Sequence, residues 1–429
     1  MRVGSGVALA LLLTACGGRV VPPASGPVAA PTRPAAAIAV PDYVAPGGRP
    51  FASVPIAPQP VGAISPAAVT ALQAGVLAGP PLATLPIVDT QAARSLAAFR
   101  TSCNALIRRT DATGLTRGSD WQPACDAARG ASDRDAARFF GEWFEAVQVG
   151  DGRATATGYY EPEIAGSRER RDGYPVPIYG RPDDLIEVDL SQFSADLKGK
   201  RIRGKVSGRS FVPYDDRAAI DAAGLDGRAR IIAWAADPVE VFFLQIQGSG
   251  RLRLPDGGIM RVGYESQNGR DYTGIGALML QRGLLAPGQG SMQGIMAYLR
   301  ANPGQGRAIM EENKSFVFFR ELNGPPLGAL GLPVVGGASA AADPRFVPLG
   351  APVLLSMDRS DANGVWIAQD TGGAIKGPNR IDTFWGAGEN ARATAGGMKA
   401  RGTAWVLVPR GTLARLSAEG RLGGAPAQP

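Results

Sequence analysis

The sequence predicts a mainly β protein with helices toward its N-terminal end, and three observations predict it. Glycine and proline number 58 and 35 of 429 residues, a share that favours turn-rich folds over helical bundles. From residue 150 to about 264, and again from 315 to 409, short alternating segments are punctuated by Gly, Pro and Asp. Upstream of residue 150, in contrast, Ala, Leu, Phe and Trp recur at helical spacing.

In chain order, the first 16 residues read as an address. Arg2 is a short positive region, and Val7 to Leu13 is apolar but far shorter than the ~20 residues of a membrane helix. Leu13-Thr14-Ala15-Cys16, followed by Gly17-Gly18, resembles the lipobox of bacterial lipoproteins. That resemblance implies a signal peptide over 1–16 and Cys16 as the acylated first mature residue. No Asp follows Cys16, which implies sorting to the periplasmic face of the outer membrane. Residues 17–64 read as a Pro/Ala-rich tether with eleven prolines between Pro22 and Pro60. At ~3.1 Å per residue, such a polyproline-like segment reaches on the order of 100 Å.

The body divides into an N-terminal helical part (65–155), a β-rich insert (156–265), a C-terminal part (266–410) and a frayed tail (411–429). Ala92–Arg109 reads as one helix. Ser132–Val149 reads as a second, with Ser132 as cap and Phe139, Phe140, Trp143, Phe144 and Val147 on one face. Strands are expected over Ala154–Tyr160, Ile231–Ala235 and Val239–Gln247. Helices follow at about 291–301 and 304–313. Strand patterns return at Ser315–Glu321, Pro352–Ser356, Gly364–Gln369 and Thr403–Pro409.

The chain has no histidine, which excludes a Ser-His-Asp triad, a Cys-His dyad and any His-ligated metal site. Proton transfer near neutral pH falls to a carboxylate, Lys, Tyr or Cys. The formal net charge is +7, with no dense Lys/Arg run carrying interleaved aromatics. This reads as a solubilising surface and not as nucleic-acid binding. With Cys16 acylated, Cys103 and Cys125 remain, and secretion permits a disulfide between them. Two unpaired buried thiols are the alternative.

Three C-terminal segments carry acids in turn-rich settings: Ala342-Asp343-Pro344-Arg345, Asp370-Thr371-Gly372-Gly373-Ala374-Ile375-Lys376-Gly377, and Arg380-Ile381-Asp382. A Gly-rich loop between Asp370 and Asp382 lets backbone pass close to a ligand. Two carboxylates brought together raise one pKa and leave a proton donor near neutral pH, as cleavage of a glycosidic bond requires. Taken alone, Asp in such turns usually caps backbone amides.

The run DTGGAIKG followed by RID, with ADPRFVPLG upstream, resembles the 3D domain, a double-psi β-barrel whose three aspartates fall on Asp343, Asp370 and Asp382. With GYYEP (158–162), YPVPIY (174–179), FLQIQGSG (243–250) and VGY (262–264), Asn268-Gly269 and Tyr272-Thr273, the pattern over roughly 90–410 resembles the membrane-bound lytic murein transglycosylase A family. The resemblance implies a double-psi barrel and a smaller inserted β-domain flanking a glycan groove. It implies cleavage of the MurNAc–GlcNAc β-1,4 bond without water, leaving a 1,6-anhydro ring. Asp382 carries over as the acid/base and Asp370 as its supporting partner. Pro378-Asn379 makes the loop a residue longer than the shortest family spacing. No metal or cofactor is implied, and the partners are peptidoglycan strands and the outer membrane. Candidate sugar contacts are Asp343, Tyr160, Gln245, Gln247, Asn268, Tyr272, Lys376 and Trp385, with core packing the alternative for Tyr160 and Trp385. Gln245 and Gln247, two apart on the expected strand, face one side. The barrel is shared with hydrolases and wall-loosening proteins, so a hydrolase or a non-catalytic glycan binder competes. A hydrolase needs a second carboxylate, for which Glu161 and Glu163 are the candidates.

If Cys16 is the lipid anchor, Cys16→Ser releases the processed protein from membranes. Retention of a cleaved variant on membranes at high salt is the contrary result.

Overall fold

The computed structural model describes residues 43, 45, 47, 50–61, 68–85, 87–197, 200–286 and 289–422. Cys16, the predicted signal peptide and most of the predicted tether lie outside them. A short helix α1 (Ala71–Ala74) and strand β1 (Val76–Ala78) precede three longer helices, α2 (Asp89–Arg108), α3 (Gly118–Gly130) and α4 (Ala136–Trp143). Helix α2 begins with Asp89 and ends with Arg108, charges that suit its dipole, and buries Ala92, Leu96, Phe99, Cys103 and Leu106 along one stripe. Cys103 and Cys125 are joined by a disulfide that ties α2 to α3, with their Cα atoms 5.6 Å apart.

The helix expected over Ser132–Val149 is shorter. Ser132 caps a single 3-10 turn through Arg134 N, α4 stops at Trp143, and Phe144–Val149 becomes strand β2. The β-branched Val147 and Val149 lie inside a barrel there, which outweighs the helical spacing of the preceding aromatics.

After β3 (Arg153–Glu161) the chain leaves the barrel and builds β4 (Glu163–Ser167), β5 (Val176–Tyr179), the small sheet β6 (Ile186–Asp189), β7 (Arg201–Ser207) and β8 (Ser210–Pro213), helix α5 (Arg217–Ala223), β9 (Ile231–Ala235), α6 (Pro238–Gln247), β10 (Ser249–Arg253) and β11 (Ile259–Gln267). Helices α7 (Ile275–Gln281), α8 (Met292–Ala301) and α9 (Pro303–Glu311) lead to β12 (Val317–Leu322). This last strand pairs antiparallel with β11, so the six-stranded sheet β12-β11-β10-β4-β9-β5 runs beyond the expected boundary at residue 265.

The segment Val239–Gln247, expected to be a strand, is helix α6. Asp237 accepts from Val239 N, Pro238 takes the first helical turn, and left-handed Gly248 ends it. The helix lies between two apolar clusters, one taking Val239, Phe242 and Phe243, the other Val241 and Leu244. Burial on two sides makes its sequence apolar nearly all round, which erases the helical period.

The chain then returns through β13 (Ser339–Ala341), β14 (Pro352–Met357), β15 (Gly364–Asp370), β16 (Arg380–Ala387), α10 (Glu389–Gly396), β17 (Lys399–Pro409) and α11 (Thr412–Ala418). The sheet order β17-β14-β15-β13-β16-β3 closes on itself, because β17 also pairs with β3. Inside the ring lie Trp366, Trp385, Ala156, Ile381 and Val406; outside it Phe99, Trp121, Phe139, Phe140 and Phe144 seal α2–α4 against Trp405 and Leu407. Gly158 on β3 admits α10: a Cβ there meets Ala395 Cα at 2.8 Å.

Two expectations about the ends fail. The tail is not frayed from residue 411, since α11 buries Leu416 in the barrel core and Arg415 pairs with Asp120 at 2.9 Å. Nor are Tyr43 and residues 50–61 free tether. Tyr43 packs against Gly336 and Gly337, Ser53 N donates to Asp358 O, and Ile56 N donates to the Ser356 hydroxyl. Hydrogen bonds to the barrel hold this stretch although its composition is that of a linker.

The disulfide closes a 22-residue separation, for which chain entropy gives a stabilisation of about 3 kcal/mol. Cys103→Ala with Cys125→Ala lowers the unfolding free energy by about that amount, read from urea midpoints. An unchanged midpoint contradicts it.

Candidate active site

Asp382 sits on β16 in direct register with Thr157 on the parallel strand β3 and with Ala341 on the antiparallel strand β13. Ala341 is also in register with Asp370 at the end of β15. The two aspartates therefore flank one intervening strand, with Cα atoms about 10 Å apart at ~4.8 Å per strand. Alternation sends Ile381, Thr383 and Trp385 the other way, and Ile381 and Trp385 reach the barrel interior.

The Asp382 carboxylate accepts a 2.6 Å hydrogen bond from the Thr157 hydroxyl. Burial is the largest influence on it and pushes its pKa up to about 6, against the lowering effects of Thr157 and Arg380; Asp370 adds the smallest upward push. Like-charge repulsion, the cause expected from the sequence, is thus secondary to desolvation. Asp370 is more heavily bonded: its Oδ1 accepts from Ala329 N and Thr371 N, and its Oδ2 from the Tyr159 hydroxyl at 3.0 Å. Burial still raises its pKa. Tyr159 is pushed well above its ordinary value, first by burial, then by Asp370 and Asp382, so it holds its proton and donates. Its ring packs on Phe384, with centroids 4.9 Å apart.

Asp343, the third aspartate, is not a sugar contact. It is 2% exposed and accepts from Arg345 Nε and Nη2 and from the Gly377 and Arg345 amides. Burial pushes its pKa up, but these donors together hold it below the usual range. It pins the Gly-rich loop. Lys376 on that loop is half-buried, and burial lowers its pKa.

A cleft of about 350 Å³ opens between the barrel and helices α6, α7 and α8, with Thr157, Gln247, Tyr272 and Met398 in its walls. Tyr272 is 44% exposed there and interacts electrostatically with Asp382. Gln247 accepts from Tyr160 N at 3.1 Å, fastening α6 to β3. Since α6 is a helix, Gln245 does not share a face with Gln247; it is buried, and its Oε1 finds no partner among the described residues. Trp385 is core, edge-on to Trp366 with its Nε1 donating to the Thr383 hydroxyl. Asn268 is also structural: fully buried, its amide donates to Asp215 O and Lys314 O and its oxygen accepts from Phe316 N. Tyr160 is 4% exposed but still borders the cleft. Neither candidate for a second acid is free. Glu161 is held by Arg251 at 2.8 Å, and Glu163 by Arg253.

Thr157 and Tyr159 were not among the residues singled out from the sequence. The signal was present: the alternation of Ala154–Tyr160 puts Thr157 and Tyr159 on one face and Tyr160 on the other.

Comparison with known proteins follows this geometry. Residues 155–320 match the MltA specific insert domain, and residues 338–408 match the 3D domain. A crystal structure of MltA from Neisseria gonorrhoeae is 35% identical, with TM-score 0.65, covering 87% of this chain and 98% of that one. The E. coli MltA structure with bound chitohexaose is 25% identical, with TM-score 0.57, over 78% of this chain and 93% of that one. Membrane-bound lytic murein transglycosylase A of Vibrio cholerae is 29% identical; the match spans 59% of this chain and 66%, just under two thirds, of that relative.

The folded chain holds the Asp382 proton to about pH 6, against 3.8 for the free group, so this residue's contribution to stability is lost as pH rises through that window. Asp382→Asn removes the loss. The variant is more stable than the parent by about 1–3 kcal/mol above pH 6, with the gap closing below pH 4. Urea unfolding at pH 4 and pH 8 measures it; a gap independent of pH refutes the assignment.

Proposed function

The chain belongs to the MltA family of membrane-bound lytic murein transglycosylases, and we propose that it cleaves the MurNAc–GlcNAc β-1,4 bond of peptidoglycan by intramolecular transfer, leaving a 1,6-anhydro end. The observation that carries this reading is a single acid, Asp382, raised to about pH 6 by burial and left with one hydroxyl donor beside the cleft. Its proton goes to the departing GlcNAc oxygen as the bond to the MurNAc C1 breaks. The resulting carboxylate takes the proton of the MurNAc 6-hydroxyl as that oxygen bonds to C1. The acid ends as it began, and no water is consumed. One group serving as acid and then base needs no second free carboxylate, which accords with Glu161 and Glu163 being held by arginines.

Asp370 supports the acid through the Tyr159 hydroxyl and the loop it fastens. Tyr272 and Gln247 offer an aromatic face and an amide at the cleft, suited to sugar rings and N-acetyl groups. The relative with bound chitohexaose, an oligomer of N-acetylglucosamine, supports a glycan in this groove. In the same reading the closed six-stranded ring is a double-psi barrel, the sheet between residues 163 and 322 is the inserted domain, and Cys16 anchors the enzyme at the periplasmic face of the outer membrane.

Mass spectrometry of digested sacculi tests the reaction: anhydro-muropeptides are expected, whereas reducing ends point to a hydrolase. Asp382→Asn keeps the side chain's shape and lowers turnover by about 10²–10⁴-fold. Near-parental anhydro product from it refutes the assignment. Thr157→Val removes a bond that favours the charged form, so the alkaline limb of the rate profile moves to higher pH. Asp370→Asn removes an upward push and moves that limb the other way. Shifts of opposite sign to these contradict the account.

A further inference from the structure

Tyr160 and Phe243, which border the cleft, also wall a smaller cavity of about 140 Å³. Arg392 of α10 faces into it. The Arg392 Nε is buried without a hydrogen-bond partner, and its Nη2 reaches only the Met296 sulfur, at 3.4 Å. Its guanidinium also lies near enough to Tyr160 to act on the phenol electrostatically. No ion pair holds Arg392 among the described residues, although a partly buried guanidinium without an anion is unfavourable.

The acids around the cavity are mostly spoken for. Glu163 is held by Arg253, and Glu240 by Arg300 at 2.7 Å. Glu389, exposed and one helical turn before Arg392, has no arginine partner among the described residues. One cation and one acid thus remain uncompensated at opposite ends of a turn of α10. A carboxylate with a side-chain ammonium nearby complements that pair.

We infer that this cavity receives the end of a peptide stem carried by the sugar under cleavage, a stem carboxylate on Arg392 and the side-chain ammonium of a basic stem residue toward Glu389. The inference rests on the glycan-cleaving reading above. The reach is right. Thr157, bonded to Asp382, and Tyr160, bordering the cavity, are three residues apart on β3, about 10 Å at ~3.3 Å per residue. An extended peptide of three residues spans the same ~10 Å. Arg392 is therefore a specificity residue for stem-bearing strands and takes no part in the proton cycle.

The test compares uncrosslinked glycan strands carrying stems with the same strands stripped of stems by an amidase. Arg392→Gln lowers kcat/KM on stem-bearing strands by about tenfold, chiefly through KM, and leaves stripped strands at the parental rate. Arg392→Lys, which keeps the charge but not the fork, falls between. The stripped-strand rate also reports that the variant is folded. A loss shared equally by both substrates, or no loss on either, overturns the inference. Failure of the parent enzyme to give anhydro ends from either substrate overturns the underlying reading, and this inference with it.

Discussion

The parallel pairing of β16 with β3 is the contact on which the rest of the molecule depends. It helps close the barrel, through β3 and on to β17, and it sets Asp382 opposite Thr157. Two residues beyond β3 the chain enters the insert, at Glu163, so the strand that supplies the hydroxyl to the acid also hangs the second sheet from the barrel. A slip of one residue between these strands would turn Asp382 into the barrel interior and Trp385 out of it. The large apolar side chains of β16 fix the register: Ile381 and Trp385 fill the core, and Asp382 is left facing Thr157, which lines the cleft.

The acids divide by how many donors they receive. Asp343 accepts from a guanidinium and two amides, and Glu161 is locked to Arg251; both are built into the framework. Asp370 accepts from two amides and a phenol. Asp382 receives one hydroxyl in comparable burial. Burial disfavours a carboxylate's charge and donors restore it, so a gradient in donor number becomes a gradient in proton affinity. Among the three aspartates, the one with fewest donors, Asp382, is the one whose pKa is pushed up to about 6. In a chain without histidine, that is one route to a group that gives and takes a proton under mild conditions.

Much of this was legible in the sequence, and the failures share a cause. Strands buried on both faces or punctuated by Gly and Pro, such as Gly364–Asp370 and Pro352–Met357, announced themselves. The three aspartates stood in recognisable runs. What could not be read was anything set by contact with a distant segment. Val239–Gln247 looks like a strand because two cores flank it, and its Asp-Pro start and Gly stop were the overlooked helical signals. Asn268 and Trp385 looked like ligand contacts because amides and indoles bind sugars; only the fold shows that Asn268 bonds three backbone groups 46 to 53 residues away. Thr157 is 225 residues from Asp382, and no local pattern links them.

The two faces of β3 do separate work, and this separation explains how the site tolerates a buried acid. Thr157 and Tyr159 face the aspartates, while Ala156 and Tyr160 lie in the core, with Gly158 letting α10 approach to within contact of the strand. The core face carries the stability and can be packed tightly, because nothing on it has to ionise. The other face carries the destabilising charge, supported by Tyr159 against Phe384 and by the Asp370 loop. Period-two alternation keeps these demands one peptide apart but on opposite sides of the sheet. Substitutions on the core face therefore act first on folding, while those on the polar face act first on the proton affinity of Asp382, although the residues are neighbours in sequence.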